Sequence, residues 1–258
     1  MVKPKNDIHM KINVLLSPNN VDDLYFTSKT TVVIDVLRAT SVILKALDSG
    51  AKEIIPVGSI DFAMKISVNS HGGQTLLCGE RNTKIIEGFD LGNSPLEYTE
   101  EKISGKSIIL FTTNGSKAIV KAKYSDKVFI ASFNNLSKIA EHLVKFGNDV
   151  EIISSGANGI FCLEDTICAG ALVKKMKEMK SDIKLTDATN ASLVLNEKYG
   201  SDISEMMKNC QHGMLLMENG FSDDIDFCST IDNIPKIPYF TGGEIKLLEE
   251  ESKSSKKA

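Results

Sequence analysis

Short runs of β-branched and apolar residues alternate along this chain with segments whose apolar positions recur at helical spacing. The runs Lys11–Leu16, Thr31–Val36, Glu53–Val57, Thr75–Cys78, Ser107–Thr112, Lys127–Ala131 and Val150–Ser154 predict strands. Several are apolar at nearly every position, as strands covered on both faces must be. The intervening pattern predicts helices over Thr40–Leu47, Asp61–Asn69, Ser116–Lys123, Leu136–Phe146 and Glu164–Met179. In the last of these Ile167, Ala171 and Leu172 share one side, while Lys174, Lys175 and Lys177 lie elsewhere. Such alternation predicts an α/β protein, a three-layer α/β/α fold with a largely parallel or mixed sheet. Past Lys184 the pattern turns helical through Gly220 and then acidic at Asp223-Asp224-Ile225-Asp226, which predicts a helical C-terminal portion. No linker rich in Pro, Gly or Ser divides the chain. A single domain over residues 10–245 is expected, with polar, disordered tails at 1–9 and 246–258.

Composition narrows the classes of function. At 258 residues the chain is long enough for a sizeable core, and a net charge of −4 argues against nucleic acid or an anionic membrane surface as partner. No apolar run approaches the roughly 20 residues of a spanning helix. Met1-Val2-Lys3-Pro4-Lys5 is not followed by a signal-like apolar stretch, so a cytoplasmic protein is expected. The five cysteines are scattered and form no Cys-x-x-Cys pair, which leaves them as small buried hydrophobes rather than a disulfide framework or a zinc site.

Candidate chemistry starts with arginine. Only Arg38 and Arg81 occur, against twenty-eight lysines, and each closely follows a predicted strand. Guanidinium is a planar fork that grips phosphate, sulfonate or carboxylate by paired hydrogen bonds. Each has an acid close in sequence, Asp35 and Glu80, an arrangement that suits an anion site bridged by a cation such as Mg²⁺. The competing reading is that both arginines sit in internal salt bridges.

Other strand exits are equally polar. Thr112-Thr113-Asn114-Gly115-Ser116 combines hydroxyls with a glycine that lets the backbone approach an anion, although the same residues also cap helices. Ser132-Phe133-Asn134-Asn135 and Ser155-Gly156-Ala157-Asn158-Gly159 follow two further strands. Glu164-Asp165 opens a helix, where acids either oppose the macrodipole or ligate a metal. Ligand crevices of α/β sheets lie outside the carboxyl ends of the strands, so these exits predict one polar basin. Residue types exclude several chemistries. Asp35 is followed two residues on by Leu37, not the second Asp of a haloacid-dehalogenase site. Val32 and Thr75 stand where a cysteine phosphatase needs Cys, and Gln211 stands where a histidine phosphatase needs Arg. Gly105-Lys106-Ser107 precedes a strand and lacks the upstream Gly of a P-loop.

The ordered series Asp35-Val36-Leu37-Arg38-Ala39-Thr40-Ser41, Cys78-Gly79-Glu80-Arg81, Gly88-Phe89-Asp90-Leu91-Gly92-Asn93-Ser94-Pro95 and Thr112-Thr113-Asn114-Gly115-Ser116 resembles the 2-phosphosulfolactate phosphatase family. Ser132-Phe133-Asn134-Asn135, Gly156, Glu164-Asp165 and His212-Gly213 continue it, and the resemblance spans Lys11 to Gly243. It implies Mg²⁺-dependent hydrolysis of 2-phospho-3-sulfolactate to 3-sulfolactate and phosphate, a step toward coenzyme M. Under it Asp35, Glu80 and Asp165 would be catalytic, and the same three with Glu164 would hold the metal. Arg38 and Arg81 would divide the phosphoryl and sulfonate groups, helped by Asn93, Ser94, Thr113, Asn114, Gly115 and Asn134. The partner is then a small anionic phosphorylated, sulfonated acid, with homo-oligomerisation left open. A non-catalytic sensor of an anionic metabolite and a Mg²⁺-dependent lyase are the alternatives.

Overall fold

A computed structural model describes residues 9–68 and 74–249. Its strands are β1 (Lys11–Leu15), β2 (Thr30–Ile34), β3 (Glu53–Val57), β4 (Thr75–Arg81), β5 (Lys84–Ile85) and β6 (Ser107–Phe111). They continue with β7 (Lys127–Ala131), β8 (Val150–Ser154), β9 (Lys184–Leu185), β10 (Pro238–Thr241) and β11 (Glu244–Leu247). The helices are α1 (Ala39–Asp48), α2 (Ile60–Val68), α3 (Glu100–Ile103), α4 (Gly115–Lys121) and α5 (Leu136–Phe146). After them come α6 (Leu163–Met179), α7 (Asp187–Tyr199), α8 (Ile203–Asn209), α9 (Gln211–Glu218) and α10 (Ser222–Cys228). None is long and apolar enough to cross a membrane.

All eleven strands join one sheet in the order β5-β4-β6-β3-β11-β10-β7-β2-β8-β1-β9. β4, β6 and β3 pair in parallel, as do β7, β2, β8, β1 and β9. The hairpin β10–β11 lies between these two groups, antiparallel to β7 on one side and to β3 on the other. The α/β expectation holds, and the sheet is mixed because of this hairpin and the short β5.

Period-two alternation explains the layers. Val32 and Ile34 of β2 enter one hydrophobic core with α5 and α6, whereas Val33 enters the other with α1 and α4. Likewise Phe129 and Ala131 face the first core, and Val128 and Ile130 the second. A central strand that feeds two cores has no solvent face, which is why β2 is buried along its whole length. α7 lies close along α6 because Gly170 has no side chain; a Cβ there would come within 2.1 Å of the Ser192 carbonyl oxygen.

The expected tail at 246–258 needs correction at its start. Lys246 and Leu247 are strand residues, paired with Tyr239 and Pro238. His9, Leu248 and Glu249 are described as well, with His9 facing Asp182 and the Leu248 N–H donating to the Ile237 carbonyl, whereas residues 1–8 and 250–258 of the expected tails lie outside the described residues.

Candidate active site

Asp35 is the first residue past β2. Its carbonyl accepts the Thr40 hydroxyl at 2.8 Å and its Oδ1 accepts the Ala39 N–H at 3.1 Å, so α1's first turn fixes the carboxylate. The loop after β6 reaches it only because position 115 is glycine. A Cβ there would stand 2.5 Å from both Asp35 Oδ2 and the Ala39 Cβ. Gly115→Ala is therefore expected to cost about 1–3 kcal/mol through overpacking, read from the midpoint of urea denaturation.

Three more acids close in around Asp35. Glu80, near the end of β4, accepts the N–H groups of Thr83 at 2.9 Å and Thr113 at 2.7 Å, tying the exits of β4 and β6 together. Asp165, in the first turn of α6, accepts Val36 N–H at 2.9 Å and Gly156 N–H at 3.1 Å, which joins the exits of β2 and β8. Its neighbour Glu164 faces His212 Nδ1 from α9 at 3.6 Å. All four carboxylates are buried.

Their electrostatics record mutual repulsion. Burial, with Glu80 and Glu164 adding to it, pushes the Asp35 carboxyl up to about 6 against the opposing pull of His212 and the Ala39 N–H. Burial first, then the charges of Asp35 and Glu164, drives Asp165 well above the ordinary carboxylate range. For Glu164 the penalty of burial is outweighed by His212, and its pKa falls. For His212 burial is likewise outweighed by Glu164, with Asp35 and Asp165 adding, and its pKa rises. Among the described residues no Lys or Arg pairs with these four acids.

Such a floor suits a hard divalent cation. Cys162 has its sulfur within 4.8 Å of ligand oxygens from Glu164 and Asp165. Burial, reinforced by those two acids, pushes its thiol pKa far up, which favours the carboxylate oxygens over the sulfur as donors.

Glu80 and His212 open onto a cleft of about 500 Å³, lined also by Thr113, Asn114, Asn158, Phe161 and Leu215. Two further hollows of about 410 and 470 Å³ adjoin it, and Thr113 and Asn158 line all three. Asn114 Oδ1 accepts the Asn158 N–H at 2.9 Å and joins the two loops across this basin. The Thr113 hydroxyl oxygen and Asn93 Oδ1 are buried without a hydrogen-bond partner.

Three of the expected substrate contacts are engaged elsewhere. Arg38 Nη1 donates to Asp224 Oδ2 at 2.5 Å and Nη2 to the Thr83 carbonyl at 2.8 Å, with the Phe221 ring 4.3 Å from the guanidinium. Both partners of the ion pair are 2% exposed, so Arg38 follows the internal salt-bridge reading. Ser94 donates to the other oxygen of the same Asp224 at 2.6 Å. Asn134 is fully buried and donates to the carbonyls of Phe227 and Thr230, binding the β7 exit to the end of α10. Arg81 is exposed and lines the 470 Å³ hollow. His212, Asn158 and Asp224 were missing from the candidate set. His212-Gly213 stands in the motif series, but nothing in the sequence brings α9 next to Glu164.

A family model described as 2-phosphosulpholactate phosphatase matches residues 15–243. A probable 2-phosphosulfolactate phosphatase of Caldanaerobacter subterraneus subsp. tengcongensis is 40% identical over 232 residues, covering 90% of this chain and 96% of that protein. One from Clostridium acetobutylicum is 39% identical over 237 residues, covering 92% and 100%. One from Thermotoga maritima is 43% identical over 221 residues, covering 86% and 93%.

Proposed function

The chain belongs to the 2-phosphosulfolactate phosphatase family, and from that membership we propose that it is a Mg²⁺-dependent phosphoric monoester hydrolase. Its substrate is 2-phospho-3-sulfolactate, cleaved to 3-sulfolactate and phosphate on the way to coenzyme M. The observation that carries the reading is the buried floor of Asp35, Glu80, Glu164 and Asp165, four acids from three separate stretches of chain, with His212 facing Glu164 and no Lys or Arg ion-paired to any of them among the described residues.

These four residues would hold the ion, with Asp35 Oδ2 an oxygen that takes up no hydrogen-bond donor among the described residues. Bound Mg²⁺ supplies charge to the phosphoryl oxygens and a water of lowered pKa. Phosphoryl transfer asks mainly for positioning and charge stabilisation, and the chain provides the rest of both. Glu80 holds the Thr113 backbone, so that the partnerless Thr113 hydroxyl and the Asn114 amide are set at the cleft as neutral donors. Glu164 raises the His212 pKa and so favours the imidazolium, whose positive charge would stand against an otherwise anionic floor.

Phosphate release from 2-phosphosulfolactate is expected to stop in EDTA and to return with Mg²⁺, with Zn²⁺ a poor substitute for hard oxygen ligands. Full turnover in chelator would remove the metal from the reaction. Thermal unfolding gives an independent reading. The Asp35 pKa is raised in the fold, from 3.8 to about 6, so its ionisation costs stability increasingly as pH climbs through that window. A cation removes that cost. The rise in Tm on adding Mg²⁺ should therefore be larger at pH 7.5 than at pH 5, and an equal rise at both would take Asp35 out of the metal site.

A further inference from the structure

Acids dominate the floor of the basin, whereas its cations stand to one side. The 410 Å³ hollow beside the cleft is lined by Asn19, Asn114, Lys117, Lys121, Ser155 and Asn158, and no carboxylate lines it. Among the described residues neither lysine has an ion-pair partner; Lys117 Nζ lies 5.6 Å over the Phe111 ring. A second observation is independent of this charge. Ser155 is 2% exposed, lines the hollow, and its hydroxyl oxygen has no hydrogen-bond partner. The Thr113 hydroxyl, on the shared wall with the cleft, is partnerless too. Buried hydroxyls are rarely left unpaired, and two of them around a cationic hollow mark a place for a ligand oxygen.

The neighbouring 470 Å³ hollow is a poorer anion site. It holds Arg81 and shares Lys117 with the 410 Å³ hollow, but Asp61 also lines it and opposes a negative ligand, whereas the 410 Å³ hollow adds Lys121 and no acid. Arg38 is occupied by Asp224. A sulfonate has a fixed negative charge and three acceptor oxygens, with no proton to give at any working pH. It therefore asks for a cation and several neutral donors, the set that Lys117, Lys121, Ser155 and the asparagines offer.

We infer that the hollow between Lys117, Lys121 and Ser155 is the sulfonate subsite, and that Lys117 is the residue selecting a sulfonated ester over one without the sulfonate. The inference rests on the phosphatase reading for its substrate, because the hollow shares Thr113, Asn114 and Asn158 with the cleft that Glu80 and His212 line.

Wild type, Lys117→Met and Lys117→Arg are compared on 2-phosphosulfolactate and 2-phospholactate, the second lacking only the sulfonate. The ratio of kcat/KM between the two esters should fall about tenfold or more in Lys117→Met, chiefly through KM, and recover in Lys117→Arg, as the loss of a charge-assisted contact predicts. An unchanged ratio overturns the subsite. Calorimetric titration of 3-sulfolactate needs no turnover and separates the two failures. If wild type hydrolyses neither ester yet binds 3-sulfolactate at least tenfold more tightly than Lys117→Met, the phosphatase reading falls and the subsite stands. Equal binding by both proteins, or no binding by either, overturns the subsite itself.

Discussion

Asp35→Asn is expected to lower phosphate release by about 10³-fold while leaving the metal-free protein at least as stable as the parent. The two effects have one cause. Asn keeps the side-chain volume beside Gly115 and an oxygen for the Ala39 N–H, so the local structure survives. What it removes is a negative charge that the fold has buried beside Glu80 and Glu164. Such a charge is a cost to the empty protein and the means of holding a cation and a phosphoryl group in the working one. Steady-state kinetics with Mg²⁺ and a thermal melt in EDTA at pH 7.5 read the two halves. A variant that is inactive because it unfolds would make Asp35 a structural residue, and one with near-normal turnover would remove it from the chemistry.

Asp224→Ala is expected to destabilise the protein by about 3–5 kcal/mol, the range for breaking a buried ion pair from one side. Arg38 would be left 2% exposed with one carbonyl and one aromatic face, and Ser94 would lose its acceptor. Removing both charges should be far milder, since apolar replacements for a whole buried pair are often nearly neutral. Urea denaturation of Asp224→Ala, Arg38→Met and the double variant measures the coupling. A loss below about 1 kcal/mol in Asp224→Ala would make the pair comparable to an exposed one.

The parts of the fold legible in the sequence are those written in local pattern. β2, β7 and β8 are recognisable because residues such as Val32, Val33 and Ile34 feed cores on opposite faces and must all be apolar. The hairpin β10–β11 was also written there, as Pro238-Tyr239-Phe240-Thr241 and Glu244-Ile245-Lys246-Leu247 around a Gly242-Gly243 turn. Its nearness to a charged terminal run hides it, since Lys246 reads as the start of a solvated tail. Within the site, the acids were legible because each stands where an element begins or nears its end. Arg38 was misleading for a reason that no local pattern carries. Its scarcity marks it as special, but its partner is 186 positions further on, on a helix whose placement only the tertiary fold decides. Asn134 failed similarly: a polar residue just past a strand satisfies carbonyls as readily as it binds a ligand.

The hairpin has a consequence for the order in which the molecule can assemble. Residues 238–247 emerge from the ribosome after every other described strand, yet they occupy the middle of the sheet. Until they arrive, β3 and β7 each present an open edge, Ile54 on one side and Val128 and Phe129 on the other, with no partner along that edge. Unpaired edges of this kind invite pairing with other chains. The nascent sheet is thus most exposed to mispairing after β9 is made and before residues 238–247 arrive, and the two parallel blocks fuse into one body only then.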